Sequence, residues 1–166
     1  MAVDATDERV PEPDLDGAGA GLRVAVVCGR FNSHVTLRLL EGVRRGLAAC
    51  GVDDADVREE WVPGAFEIPL AAKTFAATGR WDAIVAVGCV IRGETAHFEY
   101  VAGQCAEGLQ RAGLDTGVPT VFGVLTTEDL DQALARSEGP GGHNVGEESA
   151  RTAVEMARLL TAIRDG

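Results

Sequence analysis

Four short runs of strand character, at residues 22–28, 57–62, 83–90 and 119–126, are each followed by a segment of helical spacing. This alternation constrains the fold more than any other feature of the chain. Parallel neighbours cannot be joined by a tight turn, and a helix is the usual crossover between them. The runs at 22–28 and 83–90 are apolar over most of their length, which marks strands covered on both faces. The chain therefore reads β-α-β-α-β-α-β-α-α. That order predicts an α/β fold, a three-layer α/β/α sandwich with a four-stranded parallel sheet and right-handed crossovers.

Within 34–50, Val35, Leu39, Leu40, Val43 and Leu47 recur on one helical face, and Gly51 marks the stop. Further helices are predicted over 65–78, 96–112, 129–136 and 146–164. Gly79 and Gly113 serve as stops, Thr127 with Glu128 as a cap, and a glycine-rich loop at 138–142 precedes the last helix. Residues 1–20 hold six acids and two prolines with little apolar content, which predicts a flexible acidic tail ahead of one domain at 21–166.

Composition narrows the function classes. The 166 residues suffice for one domain with a sizeable core, and at 46% hydrophobic but only 5% aromatic that core is built from Ala, Val, Leu and Ile. No run of about 18 apolar residues is present, so no membrane-spanning helix is expected. The acidic, proline-bearing start does not read as a secretory signal, and a cytoplasmic location is the expectation. A net charge of −11 argues against nucleic acid as a partner. Cys28, Cys50, Cys89 and Cys105 have no metal-binding spacing and sit among small or apolar neighbours, so they read as buried free thiols. Fourteen arginines stand against a single lysine, Lys73, which reads as a solvated helix residue.

The chemistry gathers where the strands end. In an open parallel sheet, ligands bind beyond the carboxyl ends of the strands. Those ends open here onto Gly29-Arg30-Phe31-Asn32, Pro63-Gly64-Ala65-Phe66-Glu67, Ile91-Arg92-Gly93-Glu94-Thr95 and Thr126-Thr127, all on one edge. His97 follows the third turn and can move protons near neutral pH, or it is a helix-start histidine bonded to backbone. The turn amides and Thr95 can hold an anion at the start of the next helix. Phe31 either covers a ligand or packs on a neighbouring helix. Glu67 either accepts hydrogen bonds from a ligand or is a helix-start charge favoured by the dipole. Arg136 closes a short helix, where an arginine also suits the dipole. His34 and His143 read as surface residues. Dinucleotide-binding, Walker, paired-histidine and nucleophile-elbow motifs are absent, and the acids of a phosphorylated receiver are replaced by Cys28-Gly29 and Val90-Ile91.

Taken together, the turns form a signature. Gly29-Arg30-Phe31-Asn32, the block from Trp61 to Pro69, the block from Gly88 to Phe98 and the block from Phe122 to Glu128 occur in the order found in the lumazine synthase family, which residues 22–164 resemble. The resemblance implies a flavodoxin-like sandwich, its sheet open to extension by an N-terminal strand from a neighbour. It also implies a riboflavin-biosynthesis enzyme that condenses 5-amino-6-(D-ribitylamino)uracil with 3,4-dihydroxy-2-butanone 4-phosphate, releasing phosphate and water, without metal or redox cofactor.

On that resemblance, Phe31 stacks on the pyrimidine. Backbone around Ala65, Phe66, Glu67, Cys89, Val90 and Ile91 holds the ring and ribityl chain, and Glu67 accepts from its hydroxyls. Glu94, Thr95 and Arg136 take the phosphate, and His97 is the acid/base. Phe122 and Arg136 come from a neighbouring subunit, so the site completes only in a homo-oligomer, a pentamer or an icosahedral multiple of one. Many relatives carry a basic residue before the glycine that opens the last helix, and this chain has Val145-Gly146 after His143-Asn144. Two other readings remain: an archaeal-type riboflavin synthase, disfavoured by the intact Gly93-to-His97 block, and a non-catalytic lumazine- or flavin-binding shell protein, which could dispense with His97 or Arg136.

Overall fold

The computed structural model describes Asp7 and residues 9–166. Strands β1 (Val24–Gly29), β2 (Val57–Val62), β3 (Ala83–Ile91) and β4 (Thr120–Thr127) form one parallel sheet in the order β2-β1-β3-β4. Between them run α1 (Ser33–Ala49), α2 (Ile68–Ala77) and α3 (His97–Thr116), while α4 (Leu130–Leu134) and α5 (Val145–Asp165) follow β4. The α/β sandwich expected from the alternation is the observed one.

Strand side chains alternate between the two faces, and each face has its own core. Val24, Val26, Cys28, Val85 and Val87 face α1 and α5, where Leu39, Val43, Leu47, Ala150 and Val154 meet them. Ala25, Val27, Ile84 and Ala86 face α2 and α3, against Ile68, Ala72, Cys105 and Leu109. The central strands β1 and β3 are buried almost throughout, which is why their sequences carry hardly any polar residue. The edge strand β2 is half-buried and admits Arg58, Glu59 and Glu60.

The α1–α5 contact is unusually close. A methyl group on Gly146 would lie 2.0 Å from the Leu39 carbonyl oxygen, one on Gly42 2.0 Å from Asn144 Oδ1, and one on Gly46 2.7 Å from Ala150 Cβ. Asn144 fixes the start of α5. Its Oδ1 accepts from the N–H groups of Gly146 and Glu147, and its Nδ2 donates to the carbonyls of Arg38 and Glu138.

Several boundaries shift. Helix α3 runs through Gly113 and stops at Gly117, whose φ of 71° supplies the left-handed turn. The segment after Pro63-Gly64 opens with a 3₁₀ turn, Ala65–Glu67, before α2 begins. The short helix is capped by Asp129, which accepts from Gln132 N–H at 2.8 Å, and not by Thr127 with Glu128. Thr127 instead donates its hydroxyl to the Asp129 carbonyl. The glycine-rich loop is closed by a bridge between Ser137 and Asn144.

Residues 1–6 and 8 of the expected tail lie outside the described residues. Farther along, Leu15 is buried in the α1–α5 core, Gly19 N–H donates to the Cys50 carbonyl at 2.7 Å, and Arg158 donates to the carbonyls of Ala18 and Ala20. One leucine and a few backbone contacts anchor this stretch without changing its polar composition. All four cysteines are buried free thiols and Lys73 is an exposed helix residue, as expected; Lys73 also pairs with Asp115 at 2.9 Å.

Candidate active site

The turns after β1, β2 and β3 meet. A cavity of about 600 Å³ lies beyond the carboxyl ends of β1 and β3, where the chain leaves in opposite directions along the sheet. Phe31 and Asn32 line it from β1, Pro63 to Glu67 from β2, and Cys89 to Ile91 from the end of β3. Gly93, Thr95, His97 and Phe98 close it from the loop and first turn of α3. Thus the three separated residues Phe31, Glu67 and His97 share one cavity.

Backbone bonds set the walls. Arg30 N–H donates to the Val62 carbonyl at 2.9 Å and Phe31 N–H to that of Pro63 at 3.1 Å, so the first two turns continue the β1–β2 ladder past its formal end. A methyl group on Gly64 would sit 3.4 Å from Glu67 Oε2 and 3.8 Å from Phe31 Cβ. The carboxylate and the aromatic stem therefore approach each other over a residue with no side chain. Phe31 is 74% exposed and Phe66 57% exposed. Neither packs into the core, which removes the packing alternative for Phe31.

Helix α3 begins without a side-chain cap, and Thr95 Oγ1 lies 3.4 Å from His97 N–H. A helix start leaves N–H groups without helical partners, which favours an anion there. The exposed His97 is reachable from the cavity. Among the described residues, Glu67 and His97 are the only ionisable side chains on the wall apart from Cys89 and the hydroxyl of Tyr100. Burial pushes the Cys89 thiol up to about 11, so at neutral pH it is a neutral floor group rather than a nucleophile.

Some expected residues lie elsewhere. Glu94 belongs to the same loop but does not line the cavity. Phe122 is on the edge strand β4, 41% exposed, and contributes nothing to this chain's own cavity. Arg136 stands beyond α4 and donates from Nη1 to the Gln132 carbonyl at 2.9 Å, also outside the cavity. Thr126-Thr127 leave β4 on the same edge without reaching it. Conversely, Tyr100 and Val101 line the cavity although no motif singles them out. They stand three and four residues past His97, which puts them on its face of α3, and that spacing is the signal that could have found them. His34 and His143 are exposed, the latter beside Glu148. Among the described residues, no group of three or more His, Cys, Asp or Glu is placed to hold a metal ion.

Such a cavity offers an aromatic plate, hydrogen-bonding backbone at two strand ends, a carboxylate, an imidazole and a helix-start anion seat. It can take a flat ring with polar edges. The family model described as 6,7-dimethyl-8-ribityllumazine synthase matches residues 21–161. Two curated relatives, each named 6,7-dimethyl-8-ribityllumazine synthase, come from two strains of Thermus thermophilus. Each is 54% identical over 143 residues, covering 86% of this chain and 90% of the relative.

Proposed function

This chain belongs to the 6,7-dimethyl-8-ribityllumazine synthase family, and on that premise we propose how its cavity performs the family's reaction. The protein is a transferase of riboflavin biosynthesis that condenses 5-amino-6-(D-ribitylamino)uracil with 3,4-dihydroxy-2-butanone 4-phosphate. In our reading, the pyrimidine lies against Phe31 and takes hydrogen bonds from the backbone of Ala65, Phe66, Cys89, Val90 and Ile91, with Glu67 accepting from ribityl hydroxyls. The phosphate sits at the Glu94-Thr95 amides before α3, where the helix end favours a dianion.

The substrate's own amine attacks the ketone and expels water to form the imine, so the chain needs no reactive lysine. Its one lysine is tied to Asp115 away from the cavity. Elimination of phosphate and closure of the ring require protons to be taken from carbon and returned to departing oxygen. His97 serves these transfers, since an imidazole can both take up and give back a proton from its place on the cavity wall. No metal or redox cofactor enters these steps.

Arg136 and Phe122 complete a neighbour's cavity rather than their own, in a pentamer or a multiple of one. Two observations support this: both lie outside the cavity of their own chain, and the surface exposes large apolar side chains, among them Leu70, Tyr100, Leu114 and Phe122. Small molecules and other copies of the chain are the partners in this reading, with no role for nucleic acid or membrane. Among the described residues no helix is long and apolar enough to cross a bilayer. The cytoplasm is the proposed compartment.

The meeting of Phe31, Glu67 and His97 around one cavity carries the assignment. Incubating the protein with both substrates while following lumazine absorbance and phosphate release tests it. Both signals should rise together. Riboflavin formed from lumazine alone, without phosphate release, would mean a riboflavin synthase, and ligand binding without either signal would mean a non-catalytic shell protein.

A further inference from the structure

Asn32 is the only residue other than glycine with a positive φ among the described residues, at 59°. Left-handed backbone is costly for a residue with a Cβ, although asparagine tolerates it better than most. Such strain persists where the surroundings hold it in place. Two contacts hold it here. The Asn32 carbonyl accepts from Val35 and Thr36 N–H, opening α1, and its side-chain Nδ2 donates to the Cys89 carbonyl at 3.0 Å.

The second contact is the informative one. Side-chain capping of α1 is not its purpose, because Asn32 makes no side-chain bond to the helix. The β1–β3 ladder ends at Cys28 opposite Val87, two residues before Cys89. Beyond that point β1 has turned away, and the amide of Asn32 supplies a bond that strand backbone no longer can. It thereby ties the turn bearing Phe31 to the strand end Cys89 to Ile91, across the slot between them. Phe31 is fixed from its other side by the bond to Pro63.

We infer that Asn32 is a positioning residue for the pyrimidine substrate. It sets the gap between the Phe31 ring and the β3 backbone edge, and so decides how well a flat ring fits. The inference rests on the proposed reading of the cavity. It involves no contact between Asn32 and the reacting atoms.

Two variants separate this role from a structural one. Asn32→Gly adopts the left-handed turn without strain but cannot bond Cys89. Asn32→Asp keeps the size and offers no donor to that carbonyl. KM for each substrate, kcat and the melting temperature are measured for both, beside Phe31→Ala. Both Asn32 variants should raise KM for the ribitylaminouracil about tenfold, because the ring seat is no longer held in place before binding. KM for the phosphorylated ketone should stay within about twofold, and Asn32→Gly, in which relief of the left-handed backbone offsets the lost bond, should melt within about 5 °C of the parent. An unchanged pyrimidine KM in the Asn32 variants, with Phe31→Ala impaired, overturns the inference alone. An unchanged pyrimidine KM in Phe31→Ala as well overturns the reading of the cavity with it.

Discussion

Arg92 donates from Nε to Glu128 Oε2 at 2.7 Å while its guanidinium carbon rests 4.4 Å from the centroid of the Phe98 ring. The same side chain pairs with Glu99 through Nη1, and its backbone N–H donates to the Thr127 carbonyl at 2.9 Å. One residue thus fastens the loop after β3 to the first turn of α3 and to the start of the β4–α4 connection. Arg92 holds the Glu99 carboxyl below the usual carboxylate range.

The clasp is solvent-exposed, so its pairs add little to folding. Its value lies in geometry, since a planar fork can serve two carboxylates at once. Arg92→Lys keeps the charge and loses the fork. It should leave the melting temperature nearly unchanged and raise KM for the phosphorylated ketone roughly threefold to tenfold, because the Gly93-to-Thr95 loop loosens. Steady-state kinetics in varied ketone phosphate check this, and an unaltered KM removes the clasp from the site's architecture.

His97→Ala should lower kcat by roughly 10²- to 10⁴-fold with little change in pyrimidine affinity, the usual reach of a positioned acid or base. Single-turnover rates with fluorescence titration of the pyrimidine separate the two effects. Equal turnover in the variant would remove the imidazole from the proton transfers. The uncatalysed condensation sets the floor of the measurement.

A shared site has a distinctive signature. His97→Ala and Arg136→Ala would each damage every site of a uniform assembly. Unfolded together and refolded as mixed assemblies, they should regain a fraction of the parental rate, because some interfaces then pair an intact His97 with an intact Arg136. Light scattering should report five or more copies per particle. An active monomer, or mixtures no faster than either variant alone, would mean that the site is not shared between subunits.

Buried thiols give a pH prediction. Loss of hydration on burial pushes Cys28 and Cys105 up to about 12 and Cys89 up to about 11, against 9.0 for a free thiol. The folded state therefore keeps its protons after the unfolded chain has begun to lose them. The associated stability is complete below pH ~9 and declines between pH ~9 and ~12, by ~1.4 kcal/mol for each pH unit by which one thiol's ionisation is delayed. Urea titrations at pH 7.5, 9 and 10.5 should show a falling midpoint, and a thiol reagent at pH 8 should label the four cysteines only after unfolding. Rapid labelling of the native protein would contradict their burial.

The sheet and its helices are legible in the sequence because periodicity reports burial directly. Val57–Val62 has the same ends in the sequence reading and in the structure, and residues 83–90 extend by just one residue, Ile91. What the pattern misses is the local backbone geometry at helix ends and the contacts remote in sequence. Gly113 looks like a helix stop, yet only the backbone at Gly117 turns left-handed. Thr127 and Glu128 look like a cap, yet Asp129 is the residue whose carboxylate reaches Gln132. The cavity is legible as a set of turns on one edge. Asn32 stands within one of those turns with no role that the sequence alone could assign, since its bond to Cys89 spans 57 positions. Tyr100 is inconspicuous because only its place three residues past His97 on α3 marks it.

The helices α1 and α5 meet through Gly42, Gly46 and Gly146, with no space left for a methyl group at any of them. That layer lies behind the sheet, remote from the strand-end turns that line the cavity. Substitutions there push two backbones apart, whereas substitutions in the turns reshape only what can be bound. The architecture thus separates the positions that decide whether the chain survives from those through which selection could redirect its substrate preference.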